Sequence, residues 1–457
     1  MDIDDIDANT SFHEEASLPS SALQPSTMAL QHERYLRENR RLRNSASFRL
    51  GLLLTRAISR PWRLVLFPFQ VLHLGYSLIL ERLGHRPKPH SLSSESDRSV
   101  TYVPPQKDCV VLFPTNGVGF GHFTRMYAFA KRIQRQQPNT EIVFFTTMPT
   151  LHLLYSEGFP TYHVAGRKMH KDLSAAAWNA LVEEQLNLVF NLHRPKMFVF
   201  DGAYPYRGML NALQGRSYLN KVWMRRGAFK TGSNIPVDSI EHFDLIVRPE
   251  DSVAATSNEL EHTVQVELIP PIVLLEADEL LPRNSARARL RLPKDAKVVY
   301  VQLGAGKIND IQSEVRLTVD ALLANEDVVV VLGESMLGGR LDLDVDRLVV
   351  IRDYPNSMYF NAFDATVQAG GYNSYHEVRK FGMPTVFYPN MSTGMDDQLA
   401  RCLAAEDEGW GLVVRERTAQ HIAAAIDRLL HMERRPIVEE DDGATSLTKQ
   451  MIQRGWL

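Results

Sequence analysis

Short apolar runs, each followed by an amphipathic stretch, recur along most of this chain and restrict it to one kind of architecture. "CVVLFPT", beginning at Cys109, leads into "MYAFAKRIQRQQ", and "EIVFFTT", "KMFVFDG" and "DLIVRPE" come after it. A strand that is apolar on both faces is buried on both, as in a parallel sheet covered by helices on each side. The alternation breaks at "ELIPPIVLLEADELLPRNSARARLRLPKDAK", where prolines and charges intervene. It restarts with "KVVYVQLGAG", "DVVVVLGE", "RLVVIRD", "DATVQAGG" and "PTVFYP". The expected fold is α/β, with two Rossmann-like doubly wound domains over 100–278 and 285–435 facing one another. Open parallel sheets bind ligands beyond the carboxyl ends of their strands, so chemistry is expected in the cleft between the halves.

The ends of the chain read differently. Residues 1–46 have no sustained apolar stripe: an acidic, Ser- and Pro-rich opening turns basic at "ERYLRENRRLRN", as in a disordered tail. Asp2, Asp4, Asp5 and Asp7 follow Met1, so no signal peptide is expected. Within 47–95, Arg49, Arg56, Arg60, Arg63, Arg82 and Arg86 sit among Leu, Phe, Trp and Ile, with Glu81 as the lone acid. The uncharged run Leu64–Leu80 falls short of the ~20 residues a spanning helix needs, and Pro68 interrupts it. This composition points to a helical segment lying on an anionic membrane surface, with packing onto the rest of the protein or a true span as the other options. Residues 436–457 read as a C-terminal tail, with a helix as one option. The net charge of -3 gives no reason to expect nucleic acid as a partner. Two cysteines, Cys109 and Cys402, make a disulfide framework implausible and favour a reducing compartment.

Three places carry residues suited to chemistry. In "VVLFPTNGVGFGHFTRMYAFAKRI", Gly117, Gly119 and Gly121 occupy the strand-to-helix turn and His122 opens the helix. Bare backbone and free amides at a helix start suit an anion. The helix dipole would hold the imidazole neutral, fit to act as a base; a capping histidine is the plainer account. The pattern also resembles a dinucleotide fingerprint, but no acid ends the next strand to hold a ribose. Asp201 ends "KMFVFD" and either orients His122 or shapes the turn before Gly202. In "VQLGAGKIND", Gly304 and Gly306 offer backbone, while Lys307 or Asn309 can reach a diphosphate or simply be solvated. Asp342, Asp344 and Asp346 have a metal-like spacing but sit before a strand, where a solvated turn is the simpler reading, so no metal is expected. Arg225 and Arg226 read either as contacts to a lipid diphosphate or as a solvated surface pair.

The third place is "GGYNSYHEVRKFGMPTVFYPNMSTGMDDQLAR", which resembles the donor-binding signature of GT-B nucleotide-sugar glycosyltransferases. It is similar both to the UDP-glucosyl- and glucuronosyltransferases and to the bacterial N-acetylglucosaminyltransferase that completes the lipid-linked peptidoglycan precursor. "GVGFGHFTR" resembles the glycine-rich loop and histidine of the same enzymes. The likeness spans roughly 108–435 and implies a GT-B architecture and transfer of a hexosyl group from a UDP-sugar, with no cofactor. By position it implies that Gly371, Asn373 and Ser374 meet the diphosphate and Glu377 the ribose hydroxyls. Asp397 and Gln398, with Asp396 nearby, would meet the donor sugar, and Tyr354 in "RDYPNSM" the uracil. His122 would be the base, with Lys307 and backbone dipoles stabilising the departing diphosphate. Two departures stand out: Ala369 occupies the place of a histidine, and Tyr372 that of a tryptophan, of the plant-type enzymes. His376 reads as incidental. The acceptor is not written in these motifs; the basic, apolar segment before residue 95 suggests a lipid-linked or polysaccharide intermediate at the cytosolic face of a membrane. A UDP-sugar 2-epimerase of the same fold and a non-catalytic UDP-sugar-binding protein are the rival readings.

Overall fold

The structure is a computed structural model describing residues 42, 45–59, 62, 65–83, 106–115, 119–170, 172–226, 239–254, 264–304, 311–336, 338, 343, 345–393, 396–439 and 442–457. The chain divides into two compact units, 1–104 and 105–457. In the first, α1 (Ala46–Ser59) and α2 (Phe67–Arg82) are joined by an ion pair between Arg49 and Glu81 at 3.0 Å. Phe69, Leu72, Tyr76 and Ile79 of α2 are exposed, as are Phe48, Leu54 and Ile58 of α1. No helix among the described residues is long and apolar enough to cross a membrane.

The second unit holds two parallel sheets. The first runs through β1 (Lys107–Pro114), β2 (Glu141–Thr146), β3 (Thr161–His163), β4 (Pro195–Asp201), β5 (Asn220–Met224), β6 (Leu245–Pro249) and β7 (Gln265–Ile269), in spatial order β3-β2-β1-β4-β5-β6-β7. The second comprises β8 (Lys297–Gln302), β9 (Val328–Gly333), β10 (Leu348–Ile351), β11 (Ala365–Ala369), β12 (Thr385–Tyr388) and β13 (Gly411–Val413), in order β10-β9-β8-β11-β12-β13. Every pairing is parallel. The winding direction reverses between β1 and β4 in one sheet and between β8 and β11 in the other. Connections leave these neighbouring strands in opposite directions, and a crevice opens beyond their carboxyl ends. The carboxyl ends of those four strands and the segments that follow them hold His122, Asp201, Gly304 and Gly371.

The nine apolar runs named from the sequence are all strands, and four further strands join them. β3 and β13 have three residues each and lie at sheet edges, too short to leave a pattern. β7 is an edge strand whose Gln265 and Leu268 are exposed, so it lacks the double-sided apolar signature. β5 begins with the polar pair Asn220–Lys221.

Four helices position the site: α3 (Gly121–Gln136) and α4 (Ala175–His193) in the first domain, and α5 (Tyr372–Lys380) and α6 (Gln398–Asp407) in the second. The C-terminal residues do not form a separate tail. Helix α7 (Gly443–Gln453) returns to the first domain and buries Ala444, Leu447 and Met451 in the cluster containing Met126, Phe129 and Ile133 of α3. Asp442 caps α7 through the amides of Ala444 and Thr445, and its carboxylate also meets Arg132 of α3 at 3.2 Å.

Candidate functional site

A cavity of about 600 Å³ lies between the two domains, lined by His122, Asp201 and Arg226 on one side and by Gly304, Tyr354, Ser374 and Glu377 on the other. His122 is the second residue of α3 and points its Nδ1 at Asp201 Oδ1, 2.6 Å away. Asp201 is buried at the end of β4. The sequence reading left out Arg125, one helical turn beyond His122 on the same helix face. Its Nε donates to Asp201 Oδ2 at 2.9 Å and its Nη2 to Oδ1 at 2.7 Å, a two-pronged clamp. The spacing of His122 and Arg125 was the available signal.

Burial pushes the Asp201 carboxyl up, but the charges of Arg125 and His122 beside it pull it below the usual carboxylate range. His122 is lowered from its ordinary value mainly by burial. Asp201 opposes this, while the charges of Arg125 and Arg226 add to it. Desolvation, rather than the helix dipole invoked from the sequence, is therefore the leading cause of a neutral imidazole.

On the second-domain wall, the Gly370–Gly371 turn feeds α5, and Gly371, Asn373 and Ser374 all line the cavity. The first-turn amides of a helix have no intrahelical acceptor, so this end is suited to an anion. The Asn373 side-chain amide is already engaged, donating to Gly121 O across the domain boundary at 3.3 Å. Its second side-chain N–H and its backbone amide are the donors left for an anion. Glu377, one turn along, accepts from Ser357 Oγ at 3.1 Å, and burial pushes its carboxyl up to about 7 against that hydrogen bond. Gly304 sits at φ +98° with open space where a side chain would project, a conformation that favours glycine. Gly119 and Gly121 line the first-domain wall, whereas Gly306 and Lys307, like Gly117 and Asn309, lie outside the described residues.

Three of the expected donor contacts have other partners within the protein. Asp397 does not line the cavity; it caps α6, accepting from Ala400 N at 3.0 Å, and Asp396 faces the cleft in its place. Gln398 does line it, but its Oε1 accepts from Asn390 N at 2.9 Å and its Nε2 reaches Asp396, so its amide serves the loop. Tyr354 lines the cavity as a wedge between domains: its ring stacks on Phe120 at 5.0 Å and its hydroxyl pairs with Thr124 at 2.8 Å.

Arg225 and Arg226 are not a solvated pair. Arg225 is buried over Trp223, and Arg226 binds Asp396 at 2.8 Å on the cavity wall. Asp396 also meets Arg401 at 2.8 Å, and fully buried Arg401 clamps Asp251, at the end of the first sheet, at 2.6 Å. Burial works against the Arg401 charge, but Asp251 and Asp396 hold it protonated. His376 packs against Tyr372 at 4.4 Å with Nε2 3.4 Å from Asp251 Oδ1, so it belongs to this interdomain cluster. Nothing local in the sequence pairs residues 251 and 401.

Asp342 and Asp344 lie outside the described residues, and Asp346 is exposed before β10. Among the described residues, Cys109 of β1, Glu141 of β2 and His193 at the end of α4 form a group of metal-ligand type. Both ring nitrogens of His193 are already used, by Glu141 and Tyr162 at 2.8 Å each, and burial pushes the Cys109 thiol up, away from thiolate. A hydrogen-bonded cluster accounts for it. Both cysteines are free and buried.

Two doubly wound parallel sheets enclosing one cleft, with the connection from the second domain returning as a helix to the first, constitute the GT-B architecture. Among solved structures, the UDP-GlcNAc 2-epimerase of Methanocaldococcus jannaschii is similar with a TM-score of 0.50 and 9% identity, over 76% of this chain and 99% of that one. The calicheamicin glycosyltransferase CalG4 is similar with a TM-score of 0.49 and 16% identity, over 77% and 94%. MurG of Acinetobacter baumannii gives 0.46 and 15%, over 77% and 100%. No protein-family model matches the chain, and no curated protein matches it.

Proposed function

We propose that this protein is a glycosyltransferase that moves a hexosyl group from a UDP-sugar to an acceptor hydroxyl, with His122 as base. The observation that carries the reading is one cavity holding a carboxylate-oriented histidine from one domain and a helix start followed by Glu377 from the other. His122 Nδ1 faces Asp201 at 2.6 Å, and Nε2, on the far side of the ring, has no partner among the described residues. In the proposed reaction Nε2 takes the acceptor's hydroxyl proton as its oxygen bonds to the anomeric carbon. The bond from that carbon to the diphosphate oxygen breaks, and UDP leaves with the electron pair toward the amides at the start of α5. Glu377 accepts hydrogen bonds from the ribose hydroxyls, a task suited to a carboxylate. The reaction needs no cofactor or metal.

The acceptor we propose is a lipid-linked or polysaccharide intermediate, with the protein held peripherally at the cytosolic face of an anionic membrane. The exposed apolar residues of α1 and α2 support this, because a contiguous apolar surface needs a non-aqueous neighbour. A UDP-sugar 2-epimerase is the second reading, favoured by the similarity in fold to the archaeal enzyme.

The test is a panel of radiolabelled UDP-sugars incubated with the protein, with and without a membrane lipid extract. Label entering the organic phase only with wild type, and lost with His122→Ala while UDP still binds, supports transfer. Conversion of UDP-N-acetylglucosamine without any acceptor would move the assignment to the epimerase. UDP-sugar binding with no turnover in either arm would leave a binding protein.

A further inference from the structure

We infer that Arg125 is a positioning residue which, by sharing Asp201 Oδ1 with His122, fixes the imidazole with its proton on Nδ1 and its lone pair on Nε2. The inference deepens the proposed role of His122 but rests on contacts that exist whatever the reaction.

Three atoms meet at one point: His122 Nδ1 lies 2.6 Å from Asp201 Oδ1, Arg125 Nη2 lies 2.7 Å from the same oxygen, and the two nitrogens are 2.9 Å apart. A guanidinium can only donate. If Nδ1 carried the lone pair, it would accept from Arg125 but face a carboxylate oxygen lone pair at hydrogen-bond distance, which is repulsive. If Nδ1 carries the proton, His122 and Arg125 both donate to Oδ1, and their 2.9 Å separation follows from that shared acceptor. Only the second arrangement satisfies both contacts to Oδ1, and it leaves the two nitrogens as neighbouring donors rather than bonded to each other. The second prong, from Arg125 Nε to Oδ2, prevents the carboxylate from rotating out of line.

The clamp also sets the charge around the base. The groups facing His122 are Asp201 from the end of β4, Arg125 from its own helix and Arg226 from the segment after β5, the last paired with Asp396 of the second domain. Asp201 alone would strongly favour an imidazolium. Burial is the larger cause of a neutral imidazole, and Arg125 adds to it by offsetting Asp201 and placing a cation beside the ring. The guanidinium also lies over the ring of Tyr372 at 5.5 Å, which gives the clamp a footing on the donor-side helix.

The test is NMR of the ring nitrogens and carbons of His122 through a pH titration, with His122→Gln to assign the signal. It requires no substrate, so it can fail without the proposed reaction failing, and the reverse. Wild type is expected to show the Nδ1–H neutral form and a titration midpoint below the ~6.5 of a free imidazole. Arg125→Met keeps the length of the side chain but removes the cation, and should raise the midpoint by about one pH unit or more. If sugar transfer is established, the acid limb of kcat/KM should move up with it, which loss of structure alone would not do. An Nε2–H neutral form in wild type, or an unchanged midpoint in a folded Arg125→Met protein, would overturn the inference. Should Arg125→Met fail to fold, Arg125→Gln takes its place in the same titration, with the same outcomes deciding.

Discussion

Glu377 offers a quantitative test because its half-buried, desolvated carboxyl lines the interdomain cavity with one hydroxyl donor, Ser357. A carboxyl that keeps its proton to about 7 in the fold, against 4.5 ordinarily, makes the native state bind more protons than the unfolded chain between those values. Stability contributed by this group is therefore complete below the lower value, falls as pH rises through the interval, and is flat above it. Each pH unit is worth about 1.4 kcal/mol, so the penalty at pH 8 comes to about 3 kcal/mol as an upper bound. Glu377→Gln removes the titration at nearly constant volume. Chemical denaturation should find the variant more stable than wild type at pH 8 by up to about 3 kcal/mol, with the difference shrinking to a small fraction of that near pH 5. Calorimetry with UDP should show the opposite trend in function. The variant should bind roughly 10- to 100-fold more weakly at pH 8, the usual worth of hydrogen bonds to a charged group. Binding to wild type should also release a proton near pH 7, because ribose hydroxyls favour the carboxylate. A stability difference independent of pH, together with unchanged UDP affinity, would refute both the burial argument and the ribose assignment.

Other outcomes follow from single contacts. Arg401→Leu strands buried Asp251 without its cation and should cost about 3–5 kcal/mol in denaturant unfolding, partly recovered by adding Asp251→Asn. Asp251 is held well below the usual range by Arg401 and His376 despite burial, so its contribution should persist at neutral pH and be lost as the solution is acidified through the folded-state value. Gly382 has φ +65° and a Cβ there would lie 2.1 Å from Arg435 O, so Gly382→Ala should lower stability by on the order of 2 kcal/mol or more. Changing Phe69, Leu72, Tyr76 and Ile79 together to serine should abolish cosedimentation with anionic vesicles and leave UDP affinity unchanged; equal sedimentation would remove the case for membrane contact.

What the sequence determined by itself was whatever its local patterns encode. Apolar runs on both faces specified buried parallel strands, and glycines after β1, β8 and β11 marked turns that line the cleft. The donor signature located Glu377 and the start of α5. These signals are short in range, because strand burial, turn conformation and helix initiation are set within a few residues. The edge strands β3, β7 and β13 escaped notice because one-sided burial, or a length of three residues, leaves no such pattern, and the interior β5 because it opens with Asn220–Lys221.

Tertiary structure decided the rest. It made Asp396 rather than Asp397 the carboxylate at the cleft, since the helix start claimed Asp397 as its cap. It turned Tyr354 into a wedge against Phe120 and drew α7 back to complete the first domain's core. It also built the two charge clusters, Arg125 with Asp201 across 76 positions and Arg401 with Asp251 across 150. A buried ion needs a partner wherever the fold can supply one. No local pattern records which distant strand end will arrive there.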